Sequence, residues 1–105
     1  MDVATSAEDR EKIEKALEAF AKRHLPLVPV TKVRVETDVD VDGDPVLLVR
    51  FVYDSPEGRL PEDAIYYGYR TVLHDELREV MGYPGYPVSS FIWKKEFEEL
   101  FEKAE

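Results

Sequence analysis

The sequence predicts a small α+β domain, an antiparallel β-hairpin or small sheet packed on helices in the order α-β-β-α-(β)-α. Three observations predict it. Residues 30 to 41 alternate strictly between apolar and polar side chains; Asp42-Gly43 then interrupts the pattern ahead of a second apolar run; and the flanking segments repeat apolar residues at helical spacing. At 105 residues the chain is expected to be a single globular domain, 1–105, long enough for one core.

Each element has a local reason. Ser6 with Asp9 three residues on resembles a capping box, and Glu8 and Asp9 suit the positive end of a helix. Ile13, Ala16, Leu17, Phe20 and Ala21 then mark one apolar stripe, with Glu11, Lys12, Glu14, Lys15, Glu18 and Lys22 toward water. Pro26 stops this helix near His24-Leu25, and Pro26 to Pro29 forms a stiff connector.

In the first strand Val33, Val35, Thr37, Val39 and Val41 share a face, and Arg34, Glu36, Asp38, Asp40 and Asp42 share the other. A three-residue loop, Asp42-Gly43-Asp44, sets Val35 against Phe51, Val39 against Leu47 and Glu36 against Arg50. The second strand, Val46 to Tyr53, carries Val46, Leu48 and Val52 on its less buried face, so either another element covers that face or a partner does.

Asp54 to Gly58 reads as a loop. Pro61-Glu62-Asp63 suits the first turn of a helix with the stripe Ile65, Tyr69, Val72, Leu73, Leu77 and Val80, interrupted by Gly68 and ended by Gly82. The connector Tyr83-Pro84-Gly85-Tyr86-Pro87 precedes a short strand, Val88 to Ile92, and a last amphipathic helix, Trp93 to Lys103.

Net charge is −9, from 23 acidic and 14 basic side chains with interleaved signs. That disfavours nucleic acid, whose affinity rests on clustered Lys and Arg. An acidic domain of this kind meets a basic partner or simply stays soluble. There is no cysteine, hence no disulfide or thiolate metal site. The N-terminal residues show no signal peptide and no run of ~18 apolar residues suits a membrane span, so the expected setting is cytoplasmic, away from membranes.

Asp38-Val39-Asp40-Val41-Asp42-Gly43 matches the opening of an EF-hand calcium loop, with oxygen ligands at its first, third and fifth positions and glycine at the sixth. Position eight is Pro45, however, and position twelve, which must supply a bidentate carboxylate, is Val49; the flanks also have strand composition. The hairpin reading is preferred. A calcium-binding module through Asp38, Asp40 and Asp42, and a carboxylate- or metal-dependent hydrolase on the same residues, stand as alternatives.

His24 and His74 lie in no metal spacing, and Ser89-Ser90 lack a nucleophile elbow. No catalytic or cofactor motif is found, and the expectation is a non-enzyme. The unusual concentration is aromatic: Tyr66, Tyr67, Tyr69, Tyr83, Tyr86 and Trp93. Tyrosine is favoured at interfaces, so Tyr66, Tyr67, Tyr83 and Tyr86 join Val46, Leu48 and Val52 as candidate interaction residues.

The segments Glu36 through Asp42-Gly43-Asp44-Pro45-Val46-Leu47 and Tyr86-Pro87-Val88-Ser89-Ser90-Phe91-Ile92 resemble a family of short bacterial proteins encoded beside HEPN-type or nucleotidyltransferase toxin–antitoxin genes. Where that family places Ser after the Phe-Ile pair, this chain has Trp93. The resemblance implies an accessory role and carries over no site residues. The function expected is that of a protein-interaction domain, through self-association, possible homodimer included, or a protein partner.

Overall fold

The structure, a computed structural model, describes residues 7–80, 82 and 85–101, with no side-chain description at 7, 8 and 80. Its elements are α1 (Ala7–His24), β1 (Val30–Val39), β2 (Pro45–Tyr53), α2 (Tyr69–Asp75), β3 (Tyr86–Trp93) and α3 (Lys94–Phe101). This is the α+β arrangement expected from the sequence, with three α-helices about a three-stranded sheet of order β1-β2-β3 among the described residues. The Ser6 cap, the first two residues of the Tyr83–Pro87 connector and the expected end of the last helix at Lys103 lie outside the described residues.

The helical stripe of α1 is buried through Leu17, Phe20 and Ala21, and Leu25 and Val28 extend the contact past Pro26. These side chains meet Val33, Val35, Leu47, Val49 and Phe51 on the first face of the sheet. From the other side of that face α2 adds Tyr69 and Leu73, while Leu77 comes from the π-helical turn Glu76–Val80 that continues it. Arg23 of α1 joins Glu76 at 2.9 Å, tying the ends of the two helices together.

Three local expectations are corrected. The hairpin register is displaced by two residues, pairing Val35 with Val49, Thr37 with Leu47 and Val39 with Pro45. The cause is Asp40. Its Oδ1 accepts the amides of Asp42 and Asp44, both at 2.9 Å, and its own N–H donates to Asp44 O, so the loop closes over five residues rather than three. Parity survives the displacement, so each residue keeps its face. Arg50 now stands opposite Arg34, and the Glu36 carboxylate reaches it diagonally at 2.6 Å.

The second helix begins at Tyr69, not near Pro61. Gly68 has φ +99°, a left-handed conformation that no helix interior accommodates, and residues 61–67 form turns. The position has open space beside it, so glycine stands there for its backbone and not for a close neighbour. Finally, β3 is longer than expected and lies parallel to β2, with Val46 beside Tyr86 and Tyr53 beside Trp93, so the sheet is mixed. Trp93 ends that strand instead of opening the last helix.

Side-chain hydrogen bonds with other elements secure two places on the sheet. On β1 the Val35 N–H donates outward to Glu14 Oε2 at 3.0 Å, which satisfies an edge amide with a helix side chain. At the far end of β2, Tyr53 Oη donates to Gly58 O at 2.8 Å, and Gly58 lies flat against the Trp93 indole, where a Cβ would come within 3.1 Å.

Candidate functional site

The second face of the sheet is set by register. Four cross-strand rows lie on it: Lys32, Val52 and Ile92; Arg34, Arg50 and Ser90; Glu36, Leu48 and Val88; Asp38, Val46 and Tyr86. α3 covers the first two. Phe97, its one buried side chain, lies below the Lys32 ammonium at 4.8 Å, and the Phe101 ring, one turn on, stacks with the Arg50 guanidinium at 4.8 Å. Val52, in the first of these rows, is fully buried.

The last two rows carry no helix among the described residues. Val46 is shielded within its row, Leu48 is half-buried, and Val88 and Tyr86 are 45% and 61% exposed. Beside them α3 presents Leu100 and Phe101, 70% and 52% exposed. Tyr86 sits at the rim, its ring 6.0 Å from that of His74. Leu48, Val88 and Tyr86 are thus the accessible apolar residues of these two rows, and Leu100 and Phe101 are those of the described part of α3.

The remaining candidates lie elsewhere. Tyr66 and Tyr67 belong to the turn before α2, and with Arg70 and Thr71 they line an open cleft of about 430 Å³. Tyr67 is fully exposed, while Tyr69 turns inward against Phe91 and hydrogen-bonds Ser89 Oγ at 2.8 Å. Tyr83 lies outside the described residues. The sequence grouped the tyrosines as one set; the fold separates Tyr86 from Tyr66 and Tyr67. Leu100 and Phe101 continue the same helical stripe as Phe97, which is why the sequence does not mark them as surface residues, yet of the three only Phe97 is buried.

At the hairpin tip the carboxylates that converge are Asp40, Asp42 and Asp44, within 4.8 Å of one another, and not Asp38, Asp40 and Asp42. Asp38 Oδ1 instead accepts the Val39 N–H at 2.8 Å. All three converging residues are exposed, and Asp40 already serves the loop amides. The flanks are strands, and Val49, at the twelfth position of the calcium-loop reading, is fully buried in β2. That geometry is not an EF-hand.

His24 packs its ring on Phe20 at 4.8 Å, and His74 lies by Tyr86. Ser55 Oγ and Trp93 Nε1 are buried without a hydrogen-bond partner, at the junction of the Asp54–Gly58 loop and the end of β3. No described helix is long and apolar enough to cross a membrane. No family model, curated protein or solved structure matches the chain.

Proposed function

We propose that this protein acts by association, as a small interaction or accessory domain that receives another polypeptide on the open half of its second sheet face. The observation that carries the reading is the exposure of Val88 and Tyr86 beside Leu48 on one half of a sheet face, with Leu100 and Phe101 exposed on the helix that lies over the other half. Exposed apolar surface rimmed by charge is costly to leave in water and marks contact sites in folded proteins. The resemblance of the hairpin and third-strand segments to small partners encoded beside toxin–antitoxin genes supports the same class of role.

The test compares the wild-type chain with Val88→Glu and Tyr67→Ala, which lie on separate surfaces. Light scattering over a dilution series reads self-association, and co-purification from the source cells reads other partners. Association that Val88→Glu abolishes and Tyr67→Ala leaves intact is the expected result. Association indifferent to Val88→Glu overturns the reading, and loss on Tyr67→Ala alone moves the contact to the tyrosine cleft.

A further inference from the structure

We infer that this protein forms a homodimer through the free edge of β3, two copies joining their three-stranded sheets into one of six strands. The contact is a strand edge and not the apolar rows of the second face, so it stands or falls separately from the association proposed for those rows. The two edges of the sheet differ. An edge strand leaves a row of N–H and C=O groups unpaired, and folded proteins blunt such edges with charge, irregular pairing or groups from a covering element. β1 is blunted in each way. It carries Lys32, Arg34, Glu36 and Asp38, its ladder with β2 is irregular between Val30 and Lys32, and Glu14 of α1 accepts the Val35 amide.

β3 is the opposite. Over Tyr86–Trp93 it has no charged side chain, its ladder with β2 runs without a register shift, and its one blunting residue is Pro87, next to its start. Among the described residues no backbone hydrogen bond joins it to any segment but β2. The rings of α3 are directed away from it, Phe97 to Lys32 of β1 and Phe101 to Arg50 of β2. No residue of β3 is fully buried, whereas Val46, Leu47, Val49, Phe51 and Val52 of the central strand are.

A second copy of this chain fits that edge. A two-fold axis normal to the sheet at Ser90 sets the two β3 strands antiparallel, with Ser90 facing its counterpart and Val88 facing Ile92 of the second copy. Hydroxyls meet at the axis and β-branched side chains beside it, pairs that favour cross-strand contact. The net charge of −9 does not forbid the pairing, because none of it is on β3. The acidic hairpin tip lies at the Tyr86 end of the sheet, where Val46 pairs with both Asp38 and Tyr86, so the two-fold sends the tip of the second copy to the opposite end. β1 itself stands two strand spacings from β3, roughly 10 Å, which is about a Debye length at physiological salt.

The experiment follows the full chain by light scattering over a dilution series, with hydrogen exchange of the amides of residues 86–93 at each concentration. The expected species is a dimer of twice the 12.2 kDa chain mass, which holds or tightens as sodium chloride rises from about 10 to 150 mM. Alternate amides of β3 should slow about tenfold or more in exchange as the dimer forms, because the outward groups gain partners. Ser90→Lys makes the chain less acidic but sets two ammonium groups at the axis, in the row that already holds Arg50, and should weaken the dimer about tenfold or more. Ser90→Thr should leave it intact.

A monomer at every concentration overturns the inference and leaves the face reading to the co-purification test. A dimer whose β3 amides exchange as fast as the monomer's also overturns it, a comparison on the wild-type chain that decides even where Ser90→Lys fails to fold. A dimer that Val88→Glu breaks and Ser90→Lys spares overturns the edge pairing while supporting contact through the sheet face.

Discussion

Replacing Gly68 by alanine separates two accounts of the second helix at a single residue. In a helix interior the change stabilises by about 1 kcal/mol. At φ +99°, with open space but a left-handed backbone, it costs about 1–3 kcal/mol, and urea unfolding should show that loss. Glu14 is a second decisive position. Its carboxylate receives the edge amide of Val35 and faces Arg34 at 3.6 Å, so Glu14→Ala should cost about 1–3 kcal/mol, whereas Glu14→Gln keeps an acceptor and should lose less. Equal losses for the two substitutions would show that the hydrogen bond is not what holds the residue.

Among elements, the hairpin shows how far an alternating pattern can be trusted. Val39 and Leu47 share a face by parity, yet Leu47 is sealed beneath the helices and Val39 stands on the projecting end, beyond their reach. Leu47→Ala should therefore cost about 2–5 kcal/mol, and Val39→Thr within about 0.5 kcal/mol of nothing, as read by thermal or denaturant unfolding. A comparable cost at both sites would mean that the tip is packed after all.

The stripe of α1, the two strands and their faces were legible because burial imposes periods of 3.6 and 2 on the sequence. The register was not, because one side chain, Asp40, settles the loop length through two amides. Nor was the direction of β3, which depends on the path of the intervening chain and not on the composition of the strand. Parity placed Val46, Leu48 and Val52 on one face correctly, but which of its rows α3 seals depends on how that helix folds back from Trp93. The candidate face was thus half legible: its floor could be read from the strands, and its α3 wall could not.

For the whole molecule, the excess of negative charge should make stability depend on salt. The hairpin alone concentrates Glu36, Asp38, Asp40, Asp42 and Asp44 on exposed backbone, with Arg50 as the cation bonded to Glu36. Self-repulsion opposes the compact state, and screening relieves it over a Debye length of about 8–10 Å near physiological ionic strength. The melting temperature should rise by several degrees between about 10 mM and 150 mM sodium chloride. A fall would mean that the ion pairs, such as Arg23 with Glu76, outweigh the repulsion.

The parallel pairing of β2 with β3 also fixes an order of events at the ribosome. When β2 emerges it can pair at once with β1, but its other edge must wait until residues 54–85 and then β3 itself have been made. At ordinary elongation rates that interval lasts roughly 2–8 s, long on the timescale of hairpin closure. During it the second backbone edge of β2 stays unpaired and Phe51 lacks its stacking partner Phe91, so the early half of the chain is made before its sheet can be completed.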